Sequence, residues 1–183
     1  METRELLRVD EARYRRLRLE AAKETSWQRT GELQKELALF EQDGDGVIAA
    51  YGARGTHLWG AFHETHLAGA VGLSLVPHHA GMQQLWLWGL YVTPRFRGTP
   101  ASRCLMSAVQ DWGEQHFPGG AIVGAYHRDN RLAWQWVERF GFRPSPWQAE
   151  AEHAGLISAE DVVVEYSRKL GYVPNRAQDG RRG

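Results

Sequence analysis

Cysteine is nearly missing from this sequence: Cys104 is the only one in 183 residues. An intrachain disulfide is therefore excluded, and so is a zinc site built from several thiolates. Surplus charge is missing too. The 22 lysines and arginines balance 22 aspartates and glutamates, so no overall field draws the chain to a polyanion or an anionic membrane surface. No apolar run approaches the roughly 18 residues that a membrane span needs. The opening METRELLRVD is charged from its second residue, unlike a targeting segment. These absences predict a soluble, cytoplasmic protein with neither nucleic acid nor membrane as a partner. The length suits one domain, since domains commonly hold about 100–200 residues. We expect residues 1–170 to form that domain and the polar segment GYVPNRAQDGRRG, 171–183, to be a flexible tail.

What is present is a clear order of periodic segments. In DEARYRRLRLEAAKE, Tyr14, Leu17 and Ala21 make one apolar stripe among arginines, with Asp10 placed as an N-cap, so this segment reads as a helix. Leu33, Leu37 and Phe40 predict a second helix closed by GDG, and both helices precede any clear strand. HLWGAFH and LAGAVGLSLV, joined at Glu64-Thr65-His66, read as an antiparallel hairpin, and QQLWLWGLYV as a third strand. Residues 101–116 turn helical, with Leu105, Val109 and Trp112 on one side. GAIVGAYH is a short buried strand. NRLAWQWVERFGF is a helix with Ala133, Val137 and Phe140 on one face and Gly141 at its C-cap. DVVVEYSRKL is the closing strand. The fold class is α+β: a mixed, mostly antiparallel central sheet flanked by helices on both faces.

One loop carries chemistry. RFRGTPASRC, 95–104, lies between a strand and a helix. The first N–H groups of a helix lack intrahelical partners and the helix dipole adds positive potential there, which suits a phosphate. Thr99 is placed as the N-cap and Pro100 at the first helical position. Pro100 removes one donor, while Gly98, Ala101, Ser102 and Arg103 keep theirs. The guanidinium groups of Arg97 and Arg103 add charge. Taken alone, the Thr-Pro pair reads more readily as ordinary helix capping than as a ligand site.

The pattern resembles the GNAT superfamily of N-acetyltransferases over roughly residues 5–170. Val92, Pro94 and Arg97 match its coenzyme loop, and Asn130, Ala133, Gly141 and Phe142 match its Asn-x-x-Ala and Gly-Phe motif in the family order. The resemblance implies a GNAT-like acyltransferase domain that uses acetyl-CoA as co-substrate and needs no metal. It implies that Leu90, Tyr91 and Val92 lie along the pantetheine arm, that residues 97–103 (Arg97, Gly98, Thr99, Pro100, Ala101, Ser102 and Arg103) hold the pyrophosphate, and that Asn130 contacts the coenzyme. It further implies direct transfer, through a ternary complex, to a primary amine of a small molecule or peptide, and it is compatible with a homodimer.

The match is partial where protons must move. Acyl transfer to an amine needs a base for the ammonium proton and is helped by an acid for the departing thiolate. Many family members carry the acid as a tyrosine seven residues after the motif asparagine, where this chain has Val137. Many place a glutamate near Trp86. No catalytic acid or base is therefore assigned. Tyr91, Tyr126, His127 and His79, beside His78, are the titratable candidates. Transfer without a dedicated acid and a catalytically weak or inactive coenzyme- or partner-binding module both remain as readings. Among eight tryptophans, Trp27, Trp86 and Trp147 lie in segments the family uses around its acceptor, and they either line an aromatic pocket or simply pack. His63-Glu64-Thr65-His66 is not a metal motif, because it falls on a hairpin turn and not on a helix.

Overall fold

The computed structural model describes residues 1–24, 38, 40, 46–77, 83–153, 155 and 157–166. The stripe in the first helix, α1 (Glu11–Glu24), is buried as expected, with Tyr14, Leu17 and Ala21 at 3% exposure or less. The expected second helix lies largely outside the described residues. Phe40 is described, and its ring meets Tyr14 edge-on at 6.2 Å. A short helix, α2 (Val47–Ala53), comes next and buries Val47 and Ile48.

The hairpin is β2 (Thr56–His63) and β3 (His66–Pro77), turning at Glu64 with φ 55°. β4 (Gln83–Val92) pairs antiparallel with β3 and leads to α3 (Ala101–His116). After β5 (Ile122–His127) and α4 (Arg131–Arg139) come β6 (Arg143–Pro144), α5 (Gln148–His153) and β7 (Asp161–Tyr166). With a first strand, β1 (Glu2–Glu5), the order across the sheet is β1-β2-β3-β4-β5-β7-β6. Every neighbouring pair is antiparallel except β4 with β5. Among the described residues no helix is long and apolar enough to cross a membrane.

Two expectations need correction. A strand precedes both helices, because ETRE has no apolar alternation to reveal it and joins the sheet by main-chain pairing with β2. Asp10 does not cap α1. It closes a short 3-10 turn, where it is fully buried, accepts the Leu7 N–H at 3.0 Å and is gripped by Arg4 at 2.7 and 2.9 Å.

Strand alternation decides which side chains meet which helices. Leu85 and Leu87 pack with Leu105, Met106 and Val109 of α3 and with Val137 of α4, while Trp88 turns to the opposite face, toward α1 and α2. At Gly89 the parity changes. Leu90 and Val92 now join the α3 face, and Tyr91 joins the α1 face. The cause is a bulge: Trp88 pairs with Gly72 and Tyr91 with Ala70, leaving two residues of β4 opposite one of β3. Gly89 takes φ 63°, which only glycine enters without strain.

Candidate active site

The site grows out of that bulge. β4 and β5 run parallel only where Leu85, Trp86 and Leu87 meet Ile122, Val123 and Gly124. Beyond Leu87 the strands part, and β4 has no β5 partner among the described residues. The Thr93 N–H donates to the Ala68 carbonyl of β3 at 2.9 Å. Counting back by alternation, the Tyr91 main chain faces β3, and the N–H and C=O groups of Leu90 and Val92 face the gap. The Val92 carbonyl accepts from Arg97 Nε at 3.2 Å, which fits this orientation.

The gap runs into the loop before α3. Gly98 takes φ 77° with nothing within 4 Å of where a Cβ would stand. The helix cap falls on Pro100, at φ −64° and ψ −5°, not on Thr99 as expected. The Thr99 hydroxyl donates backward to the Phe96 carbonyl at 2.6 Å and accepts the Ala101 N–H only at 3.4 Å. Among the described residues the N–H groups of Gly98, Ser102 and Arg103 have no protein acceptor. Free N–H donors at a helix start are chemically suited to an anion.

Arg97 is engaged elsewhere. Its guanidinium spans both oxygens of Glu24, the last residue of α1, at 2.5 and 2.6 Å. Glu24 also accepts the Tyr91 hydroxyl at 2.6 Å. Hydrogen bonds from Arg97, first, and from Tyr91 hold the Glu24 carboxyl below its ordinary range. Burial, first, and Glu24 push the Tyr91 phenol far above its own. The Tyr91 hydroxyl is thus held as a donor to Glu24.

The other candidates are scattered. Tyr126 is half-buried on the α3 and α4 face, its phenol pushed up by burial and then by the charge of Glu138. The His127 Nε2 meets Glu160 at 2.9 Å while its Nδ1 accepts the Asp129 N–H at 3.3 Å, so both ring nitrogens are engaged. His78, His79 and Trp27 lie outside the described residues. Val137 is buried at 8% exposure in the core under α3, with no polar atom to offer. Asn130 caps α4, its Oδ1 accepting the Ala133 N–H at 3.0 Å. Trp86 and Trp147 meet edge-to-face at 6.1 Å with Trp147 buried at 6%, so this pair is packed together. Cys104 is half-buried on α3.

The sequence model of the Acetyltransferase (GNAT) family matches residues 15–142. The chain belongs to the GNAT acetyltransferase family. The structural likenesses agree on the GNAT fold. The PaiA N-acetyltransferase of Thermoplasma acidophilum, in complex with coenzyme A, is 17% identical with a TM-score of 0.67, over 91% of this chain and 98% of that one. The ribosomal-protein-alanine N-acetyltransferase of Brucella melitensis is 13% identical with a TM-score of 0.65, over 91% and 99%. AAC(6')-Iy, in complex with the bisubstrate analogue CoA-S-monomethyl-acetylneamine, is 16% identical with a TM-score of 0.56, over 78% and 90%. No curated protein sequence matches the chain.

Within this GNAT site, two features escaped the sequence reading. Glu20 and Glu24 stand one helical turn apart on α1 and both reach the Tyr91 hydroxyl, a spacing visible in EAAKE. Arg18 is buried at 3% exposure and donates to the Gly89 carbonyl at 3.0 Å. It falls four residues after Tyr14, on the apolar stripe itself, and that position was the available signal.

Proposed function

We propose that this acetyltransferase takes acetyl-CoA as co-substrate and passes the acetyl group directly to a primary amine of a small molecule or peptide in a ternary complex. The observation that carries the reading is a set of main-chain groups with no main-chain partner: those of Leu90 and Val92 in the gap, where only the Val92 carbonyl is met by Arg97, and the N–H groups of Gly98, Ser102 and Arg103 at the start of α3. An amide-bearing arm ending in a pyrophosphate matches that set in chemistry and order.

In this reading the pantetheine takes the place of the lost strand partner along Leu90 and Val92, with Tyr91 between them fastening the strand to α1. The N–H groups of Gly98, Ser102 and Arg103 hold the pyrophosphate, beside the hydroxyl of Thr99 and the packed methyl of Ala101. Pro100 fixes the turn without a donor of its own. Arg97 reaches the phosphates by exchanging Glu24 for them. Asn130 spends Oδ1 on its own helix and keeps its amide hydrogens for the coenzyme. Acetyl-CoA supplies an activated acyl group with a thiolate leaving group. The Leu90 N–H, pointing into the gap, is placed to donate where negative charge develops on the thioester carbonyl. The amine attacks that carbon, the C–S bond breaks, and the ammonium proton passes to water or to a histidine. Residues 1–170 act as one catalytic domain, and the balanced charge and single cysteine suit the cytoplasm. That a neighbour of the same fold is a ribosomal-protein-alanine N-acetyltransferase and another holds an acetylneamine analogue supports both peptide and small-molecule amines as acceptor classes.

The test compares coenzyme A with pantetheine by calorimetry and then monitors thiol release from acetyl-CoA across a panel of amines. Tight binding lost in pantetheine, with turnover on at least one amine, is the expected result. Equal affinity for both ligands ends the anion-pocket reading. Binding without turnover on any amine favours the second reading, a coenzyme-binding module, for which the core position of Val137 speaks.

A further inference from the structure

Arg18 is the one arginine among the described residues that the fold buries, at 3% exposure, on a helix face otherwise given to Tyr14, Leu17 and Ala21. A guanidinium taken out of water costs several kcal/mol unless its donors are satisfied, and an aliphatic residue would fill the same stripe more simply. The use of Arg18 is visible in its contact. Its Nη1 donates to the carbonyl of Gly89 at 3.0 Å, the residue at the centre of the β4 bulge.

That carbonyl shares a peptide with the Leu90 N–H. The peptide is trans, as is every peptide among the described residues, so its C=O and N–H point in opposite directions. Holding the Gly89 carbonyl on the α1 side directs the Leu90 N–H away from α1, into the gap between β4 and β5. The bulge leaves this peptide outside the regular β3 ladder, where a strand partner would otherwise set its plane. The φ of 63° at Gly89 is the backbone setting that turns the carbonyl out toward Arg18, and the guanidinium lies 3.4–3.6 Å from where a Cβ on Gly89 would stand. A charged donor on the carbonyl also polarises the peptide and strengthens its N–H as a donor.

We infer that Arg18 is a positioning residue for acyl transfer: through the Gly89 carbonyl it orients and polarises the Leu90 N–H toward the thioester carbonyl of the acyl donor. This rests on the proposed placement of acetyl-CoA in the gap. It adds a residue from the opposite face of the sheet that touches neither substrate.

The experiment reads the thioester carbonyl directly. Isotope-edited infrared spectra of acetyl-CoA carrying 13C at the acetyl carbonyl are recorded free and bound to the wild type, Arg18→Lys and Arg18→Met, beside calorimetric Kd values and melting curves. The expected result is a carbonyl stretch moved to lower frequency on binding the wild type, with most of that displacement lost in Arg18→Met and part of it kept in Arg18→Lys, while Kd changes less than the spectrum. A variant that only loosens the fold would weaken binding and leave the frequency of the bound fraction where it was. If Arg18→Met does not fold, Arg18→Lys decides, because the ammonium must already return part of the displacement. A wild type that binds acetyl-CoA without moving the stretch overturns the placement in the gap and this inference with it. A wild-type displacement retained in full by the folded variants overturns the role of Arg18 and leaves the proposed function standing.

Discussion

Glu24 and Arg97, from the end of α1 and the loop before α3, are joined oxygen to nitrogen twice, at 2.5 and 2.6 Å. The pair ties the loop before α3 to the end of α1, and it occupies the guanidinium that the proposed function assigns to the phosphates. On the proposed placement of the coenzyme, its phosphates and this ion pair compete for Arg97.

Glu24→Gln tests the competition. Both side chains are partly exposed, at 46% for Arg97 and 32% for Glu24, and such a pair is worth at most about 1 kcal/mol. Coenzyme A should bind up to about fivefold tighter to the variant, measured by calorimetry. Weaker binding would show instead that Glu24 presents Arg97 to the phosphate.

Arg97→Ala should weaken coenzyme A binding. A charge-assisted bond is worth about 1.5–3 kcal/mol, and the ion pair given up to form it subtracts about 1 kcal/mol, leaving a loss of about 0.5–2 kcal/mol. An unchanged dissociation constant with an intact melting curve would assign Arg97 wholly to Glu24.

Pro100→Gly returns an N–H to the start of α3. The regained donor toward an ionised group is worth about 1.5–3 kcal/mol, and loss of a proline in a compatible conformation, φ −64°, costs the fold about 0.4–1 kcal/mol. The expected outcome is tighter coenzyme binding and a slightly lower melting temperature without ligand. Calorimetry and thermal melts read both, and weaker binding would mean that the loop does not present its amides to phosphate.

Asp10 contributes to the acid limb of stability. Its carboxyl is fully buried, and hydrogen bonding from Arg4, foremost, holds it below its ordinary range despite burial. With the folded pKa below the unfolded value of about 3.9, its contribution is whole above that value and is lost as pH falls through the folded pKa. Asp10→Asn should cost about 1–3 kcal/mol near neutrality, and denaturant titrations should show the gap to the wild type closing as pH falls below the unfolded value of about 3.9. A gap that stays constant with pH would remove the carboxylate charge from the account.

The segments with strong periodicity could be read before any coordinates. QQLWLWGLYV became β4 residue for residue and 101–116 became α3, because alternation and a helical stripe are local properties of the chain. ETRE could not be read, since a polar edge strand owes its structure to a neighbour more than fifty positions away. The loop before α3 was legible in outline, but the shift of the cap from Thr99 to Pro100 depended on the Phe96 carbonyl lying within reach of the Thr99 hydroxyl. Arg97 looked free in the sequence, and only the packing of α1 across the sheet shows that Glu24 holds it. The same packing brings Arg18 to Gly89, a contact spanning 71 positions for which no local pattern exists.

Gly89 sits in β4 as an extra beat sits in a bar of music. Upstream, odd-numbered residues address the α3 face; downstream, even-numbered ones do. Excise the glycine and Leu90 would come directly after Trp88, so plain alternation would still send Leu90 and Val92 toward α3 and Tyr91 toward α1. The core would hardly register the loss. What would vanish is the one peptide that stands outside the ladder, and with it the carbonyl that Arg18 holds. A single dispensable residue thus separates the strand's duty to the core from its duty to the gap, and the chain could shed the second while keeping the first.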